Sequence, residues 1–107
     1  MELGIIISQT NPETVWNAFR LANFALKQGD EVKVFLVGQG VEYETGSSEK
    51  FNIKEQSGEF IKTDRAHIMA CGTCLKLRDQ EATETCPLST MKDLYTLVKE
   101  CDKVLTF

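Results

Sequence analysis

The sequence predicts an α/β fold, a three-layer α/β/α sandwich built on a mostly parallel sheet of four or five strands. Strand and helix patterns alternate along the first third of the chain, and two further strand patterns, residues 66–70 and 103–107, come later. The first strand pattern is a continuous apolar run, which is typical of strands buried on both faces of a sheet. A strand, a helix and a second strand in this order favour a right-handed parallel crossover.

The bulk composition is that of one ordinary globular domain spanning residues 1–107. Hydrophobic residues make up 42% and charged residues 26% of the 107 positions. The net charge is −4 and Lys and Arg are not clustered, so we expect no nucleic-acid partner. The apolar runs are too short to cross a membrane, and Glu2 stands where a secretory signal needs basic residues. We therefore expect a cytoplasmic protein without a membrane partner.

The opening of the chain is predicted to form a strand, a helix and a second strand. Residues 3–8 form the first predicted strand. Asn11 is suited to cap the following helix, Pro12 to lie in its first turn, and Gly29 to stop it in a left-handed conformation. The second predicted strand covers residues 31–37.

The middle of the chain carries the weakest pattern. The sequence Gly-Gln-Gly at residues 38–40 is a fragment of a glycine-rich phosphate loop and gives slight support for a nucleotide site. We expect a weak helix over residues 53–62, with a mobile flap as the alternative for residues 41–64. The last helix can begin at Ser89 or Thr90 and presents one apolar face. The members of that face are Met91, Leu94, Tyr95, Val98 and Cys101.

Cys71 is the residue best placed for chemistry, because it directly follows the third predicted strand. In open α/β sheets the functional crevice lies at the carboxyl ends of the strands. Gly72 permits a sharp turn, and a helix starting near Thr73 would direct N–H groups at the sulfur and favour the thiolate. Cys71 and Cys74 form a C-x-x-C pair, a spacing that lowers thiol pKa values and permits a disulfide. The alternative is that Cys71 is only a small buried residue.

The remaining cysteines and the single histidine have alternative interpretations. His67, Cys71, Cys74 and Cys86 could supply four metal ligands, but only one paired half-site is present, so we predict no metal. Cys86 is either a second reactive thiol or an incidental loop cysteine, and Cys101 is expected to pack in the core. His67 is either a base near the thiol or a partly exposed side chain. No cofactor is predicted.

Together these segments resemble the DsrE/DsrF-like sulfur-relay proteins, in particular small stand-alone archaeal and bacterial members described as peroxiredoxin-like. The resemblance extends over nearly the whole chain. It is most specific at residues 69–78, MACGTCLKLR, and is also carried by residues 29–41, 89–94 and 102–107. It implies a three-layer α/β fold, a homo-oligomer (trimer or hexamer), and a strand-end cysteine that carries sulfur as a persulfide.

By position, Cys71 matches the sulfur-carrying cysteine and Cys74 the second cysteine of the stand-alone subgroup. The resemblance thus implies an intracellular persulfide carrier, or a sulfurtransferase, that accepts sulfane sulfur from a donor protein and passes it to an acceptor protein. One alternative is a thiol–disulfide or peroxide-reducing protein that uses both cysteines, with Thr73 and Arg78 as candidate activating residues. The other is a non-enzymatic oligomeric binding protein, with metal binding as one version.

Overall fold

The computed structural model describes residues 1–81, 83 and 87–107, and this part of the chain contains five strands and four α-helices. The strands are β1 (Glu2–Ile7), β2 (Glu31–Leu36), β3 (Ala66–Cys71), β4 (Leu88–Ser89) and β5 (Lys103–Thr106). The helices are α1 (Pro12–Lys27), α2 (Ile53–Phe60), α3 (Gly72–Leu77) and α4 (Met91–Glu100), and a short 3₁₀ helix, Gly38–Glu42, follows β2.

All five strands are parallel and lie in the order β4-β3-β2-β1-β5. Ile5 on β1 lies opposite Val34 of the central strand β2 and Leu105 of β5, and Val34 in turn lies opposite Ile68 of β3. The predicted parallel α/β sandwich is therefore confirmed. Because the strands are parallel, their carboxyl ends meet at one edge of the sheet, and Cys71 lies at that edge.

The larger core cluster lies between one face of the sheet and helices α1 and α2. Phe19 of α1 and Phe60 of α2 are fully buried there, with ring centroids 5.9 Å apart in an edge-on arrangement. Helix α1 begins as predicted, because the Asn11 side chain accepts a hydrogen bond from the Thr14 N–H at 3.1 Å. It ends before Gly29, whose φ of 93° is readily available only to glycine.

Helix α4 packs on the opposite face of the sheet. Gly4 of β1 allows this close approach, since a Cβ added there would lie 2.6 Å from Cδ2 of Leu97. Leu97 and Cys101 are buried against Phe35, and Leu94 packs beside them. Cys101 is thus a core residue, as predicted.

The predicted single apolar face of α4 is wrong in part. Met91, Tyr95 and Val98 are 60%, 64% and 51% exposed, and they point away from the sheet. These three residues share the spacing i, i+4, i+7, whereas the packed residues Leu94, Leu97 and Cys101 form a neighbouring stripe. The helix therefore has two apolar stripes, and only one of them is covered by the sheet.

The middle of the chain contains the expected helix, preceded by turns and bends over residues 43–52. Helix α2 is two residues shorter than expected and packs on α1, where the Asn23 side-chain amide donates to the Gln56 carbonyl at 3.0 Å. The sequence predicts neither the 3₁₀ helix nor strand β4. Strand β4 has only two residues, which are too few to show a recognisable period. No helix in the described part of the chain is long and apolar enough to cross a membrane.

Candidate functional site

Cys71 is the last residue of β3 and the residue that precedes the first turn of α3. Its neighbour across the sheet is Ser89 of the short strand β4. The chain turns sharply here because an extended strand passes directly into a helix. The Cys71 sulfur thus stands at the carboxyl edge of the sheet, where open α/β folds bind their ligands.

The surroundings of the Cys71 sulfur influence its pKa in opposing directions. Burial is the largest influence and raises the pKa of Cys71, because it disfavours the charged thiolate. Hydrogen bonding by the Cys74 thiol and by the N–H groups of Cys74 and Thr73 lowers it, and the net result is a pKa below the ordinary value. The N–H groups are imperfectly aligned donors, since the Cys71 side chain forms no regular helix-capping bond.

Cys74 lies one turn into α3 and is half-buried. Burial raises the pKa of Cys74, and the neighbouring Cys71 raises it further. The N–H of Gly38 donates a hydrogen bond to the Cys74 sulfur at 3.1 Å and opposes this rise, as does the positive charge of Arg78. The two sulfurs therefore differ in character: the pKa of Cys71 lies below, and that of Cys74 above, the ordinary value of a cysteine thiol.

Arg78 contacts Cys74 rather than Cys71. Its Nη1 donates to the Cys74 carbonyl at 3.1 Å, and its Nε lies 3.8 Å from Oε1 of Glu42. Thr73, the other residue considered for activating a peroxide at Cys71, has an exposed side chain. Neither residue is thus arranged as the activating partner that a peroxidatic Cys71 would need.

A cavity of about 770 Å³ lies beside the cysteine pair. Its walls include Cys71, Cys74 and the apolar side chains of Leu88 and Met91. Gly72 leaves room for this wall, because a Cβ added there would lie 3.0 Å from Cγ of Leu88. Cys71 itself is only 4% exposed, and it forms part of the lining of this cavity.

The other sequence candidates lie away from the pair. His67 is at the opposite end of β3, about 13 Å from Cys71 at the usual strand rise, and its Nε2 lies 3.3 Å from a Glu31 carboxylate oxygen. His67 is therefore a partly exposed surface residue. Burial raises the pKa of Cys101, which suits an inert core thiol. Cys86 lies outside the described residues.

No group of three or more His, Cys, Asp or Glu side chains within the described residues could hold a metal ion. The four residues considered for a metal site do not converge where they are described, since His67 is remote from Cys71 and Cys74. The three described cysteines Cys71, Cys74 and Cys101 are free thiols.

Sequence reasoning missed two contributors to the site. The N–H of Gly38 reaches Cys74 because β2 and β3 are neighbours, so the segments after both strands meet at the same edge. The glycines directly after β2 are a usable signal, although their pattern by itself indicates only a fragment of a phosphate loop. Leu88 and Met91 line the cavity because β4 pairs with the end of β3, and that pairing had no sequence pattern.

Comparisons with a family model and with known proteins agree on the family to which this chain is similar. The sequence model of the DsrE/DsrF-like family matches residues 1–107. The uncharacterized protein MJ0989 of Methanocaldococcus jannaschii is 36% identical over 115 aligned residues, which cover 100% of both chains. The uncharacterized protein MK0008 of Methanopyrus kandleri is 35% identical over 113 residues, covering 98% of this chain and 93% of its own.

A solved structure has the same fold. The crystal structure of the ychN protein from E. coli matches with a TM-score of 0.81 at 22% sequence identity, and the match covers 100% of each chain. The parallel five-stranded sheet, the strand-end cysteine and the match along the full chain agree with the resemblance drawn from the sequence. This chain belongs to the DsrE/DsrF-like family.

Proposed function

We propose that the protein, as a single domain of residues 1–107, is a sulfur carrier that holds sulfane sulfur as a persulfide on Cys71. The observation that carries the proposal is the local setting of Cys71. Its sulfur lies at the carboxyl edge of the sheet, faces hydrogen-bond donors that lower its pKa, and opens to a cavity lined by Leu88 and Met91. Membership of a family of the sulfur-relay type supports the same role.

The reaction follows from thiolate chemistry. The Cys71 thiolate attacks the outer sulfur of a donor persulfide, a bond forms between Cys71 Sγ and that sulfur, and the donor leaves as a thiolate. An acceptor thiolate then attacks the outer sulfur on Cys71, takes it as a new persulfide, and returns Cys71 to the thiolate. Each step converts one thiolate and one persulfide into another thiolate and another persulfide. The overall oxidation state of the sulfur atoms does not change, so no oxidant or reductant is needed. The partners are therefore a sulfur-donor protein and a sulfur-acceptor protein, and the activity is that of a sulfurtransferase.

A mass measurement tests the assignment. The protein is incubated with a persulfide donor, separated from excess donor, and its intact mass is measured by mass spectrometry. We expect one added sulfur atom on the wild type, none on Cys71→Ser, and the wild-type amount on Cys101→Ser, in which a buried thiol of the core is removed. An added sulfur of undiminished amount on Cys71→Ser would remove Cys71 from the reaction.

A second candidate function is a thiol–disulfide or peroxide-reducing protein. The observation that favours it is the hydrogen bond between the Cys74 and Cys71 sulfurs, since two thiols this close can form an intramolecular disulfide. Mild oxidation followed by alkylation distinguishes it: this candidate requires both thiols to become protected together and to be released by a dithiol. Protection of neither thiol would exclude it. No observation in the described residues favours the third reading, a metal-binding scaffold.

We also propose that the protein acts as a homo-oligomer, a trimer or hexamer, with the exposed stripe of α4 as a contact between copies. The stripe consists of Met91, Tyr95 and Val98, which are more than half exposed. An uncovered apolar row of this kind marks an interaction site. Native mass spectrometry is expected to give three or six copies for the wild type and for Lys54→Glu on α2, and smaller species for Tyr95→Glu. A wild-type monomer would contradict the proposal.

The proposed chemistry requires a reducing compartment, because Cys71 must be available as a free thiol to accept sulfur. The cytoplasm is such a compartment, so cytoplasmic location is part of the proposal. Fractionation of cells followed by immunoblotting tests it.

A further inference from the structure

Arg78 joins two chain segments that meet at Cys74. Its Nη1 donates to the Cys74 carbonyl oxygen at 3.1 Å, and its Nε lies 3.8 Å from Oε1 of Glu42. Glu42 ends the 3₁₀ helix that begins at Gly38, and the Gly38 N–H donates to the Cys74 sulfur at 3.1 Å. Cys74 is thus held from both sides, and we call the set Gly38, Glu42 and Arg78 the Cys74 clamp.

The contact between the Gly38 N–H and the Cys74 sulfur depends on how α3 lies against the 3₁₀ helix. That helix is fixed to the sheet at its start, because the residue before Gly38 donates its N–H to the Ile7 carbonyl at 3.0 Å. From the side of α3, Arg78 contacts Glu42 at the end of the same helix. A planar guanidinium can serve two acceptors at once, which the single ammonium of lysine does less well.

We propose that Arg78 is a positioning residue: it holds the Gly38 N–H on the Cys74 sulfur and thereby sets how readily Cys74 attacks a persulfide on Cys71. The second half of this proposal rests on the proposed sulfur-carrier function. The first half, the control of Cys74 by the clamp, is a property of the free protein and is measured without any persulfide.

The attack by Cys74 is a balanced exchange. The Cys74 thiolate attacks Sγ of the Cys71 persulfide, the bond to the outer sulfur breaks, a Cys71–Cys74 disulfide forms, and hydrosulfide leaves. The outer sulfur is reduced and the Cys74 sulfur is oxidised, while Cys71 Sγ keeps the oxidation state that it had in the persulfide. An external dithiol then reduces the disulfide and is itself oxidised. The Gly38 N–H favours this route because it stabilises the Cys74 thiolate.

The clamp therefore sets how much of the sulfur on Cys71 is released as hydrosulfide and how much is transferred to an acceptor thiol. With the clamp intact, Cys74 competes with an external acceptor thiol and releases hydrosulfide. With the clamp broken, fewer Cys74 side chains are thiolates, so the persulfide on Cys71 lasts longer and a larger share passes to an acceptor.

The first test measures Cys74 alone. In a Cys71→Ser background, the alkylation of Cys74 is followed against pH and resolved from the other thiols by peptide mass spectrometry. Loss of one ordinary hydrogen bond lowers the thiolate fraction at a fixed pH about two- to tenfold, so Arg78→Gln is expected to move the midpoint of the profile to higher pH. Glu42→Gln is expected to move it in the same direction, and Arg78→Lys by less.

Lys54→Gln is the matched control, because it also removes one positive charge but lies exposed on α2, away from the cysteine pair. We expect its profile to match that of the parent. Far-UV circular dichroism verifies that each variant is folded. If Arg78→Gln does not fold, Glu42→Gln carries the test from the other side of the clamp. Glu42→Gln is the decisive variant, because Arg78→Gln also removes a positive charge that acts directly on Cys74. A midpoint of folded Glu42→Gln that is unchanged, or that moves to lower pH, would overturn the proposal.

The second test measures the sulfur. Protein with both cysteines is loaded by a persulfide donor, and hydrosulfide release is followed with a sulfide electrode. We expect slower release from Arg78→Gln than from the wild type. If persulfide forms and is released at the same rate by both, the positioning role is refuted. If no persulfide forms on the wild type while the Cys74 profile still responds to Arg78, the carrier function fails and the control of Cys74 by the clamp stands.

Discussion

Removing the Cys74 thiol is expected to make Cys71 less acidic. The Cys74 thiol and the N–H groups of Cys74 and Thr73 together offset the burial of the Cys71 sulfur and lower its pKa. Cys74→Ala removes the thiol and keeps both N–H groups. Alanine is also the best helix former, so the substitution does not weaken α3.

The magnitude follows from the strength of the lost interaction. A hydrogen bond to a charged group contributes about 1.5–3 kcal/mol, and a thiol is a weak donor, so we take about 1 kcal/mol. That energy corresponds to about a fivefold smaller thiolate fraction at a pH below the pKa. Because a thiolate of higher pKa is also intrinsically more nucleophilic, the rate of alkylation at fixed pH falls by only about two- to threefold.

The assay is the rate of Cys71 alkylation as a function of pH, resolved by peptide mass spectrometry. Cys71 reacts as the thiolate, so in every variant the rate falls as the pH falls through the pKa of Cys71. We expect Cys74→Ala to move the midpoint of this profile to higher pH and Cys74→Ser, which keeps a hydroxyl donor, to move it less. A midpoint for Cys74→Ala equal to or below that of the wild type would refute the reasoning.

Three substitutions test how the fold supports the site. A Cβ at Gly40 would lie 1.9 Å from the Ile7 carbonyl oxygen, so Gly40→Ala is expected to cost about 2–3 kcal/mol of unfolding free energy in urea; a cost under about 0.5 kcal/mol would contradict that packing. Thr90 and Asp93 form a capping box on α4, so Thr90→Ala is expected to lose about 1 kcal/mol and Thr90→Ser to retain most of it, by thermal melting. Phe19 of α1 is fully buried in the core cluster beside α2 and the sheet. Phe19→Ala is expected to lower the free energy of unfolding by about 3–5 kcal/mol in the same urea titration. A loss as small as that of a typical surface substitution would show that Phe19 is not part of the core.

The strong sequence signals predicted most of the fold. The apolar run of β1, the cap at Asn11 and the stop at Gly29 define the first strand, helix and turn, because each depends on neighbouring residues in the chain. Strand β4 depends instead on a pairing with the end of β3, and its two residues carry no period. The prediction of a single apolar face on α4 is wrong in part because it also depends on a tertiary contact. Helical spacing identifies apolar faces but does not show which of two adjacent faces contacts the sheet.

The placement of Cys71 and Cys74 together at the end of β3 could be predicted, because strand-end position and C-x-x-C spacing are local properties. The different character of the two sulfurs could not, since it depends on contacts between separate segments. The Cys74 sulfur accepts a hydrogen bond from the N–H of Gly38, which is 36 positions earlier in the chain. Leu88, which is later in the chain, lines the cavity beside Cys71. Gly72 illustrates the same point: the sequence explained it by a sharp turn, whereas the structure explains it by the close approach of Leu88.

The location of the first sulfur on the wild-type protein tests the central claim most directly. The protein is given less than one equivalent of a persulfide donor, trapped by rapid alkylation, and digested for peptide mass spectrometry. The account predicts that the added sulfur lies on the peptide containing Cys71, bonded to Cys71 and not to Cys74. Sulfur found first on Cys74, on Cys86 or on Cys101 would contradict it.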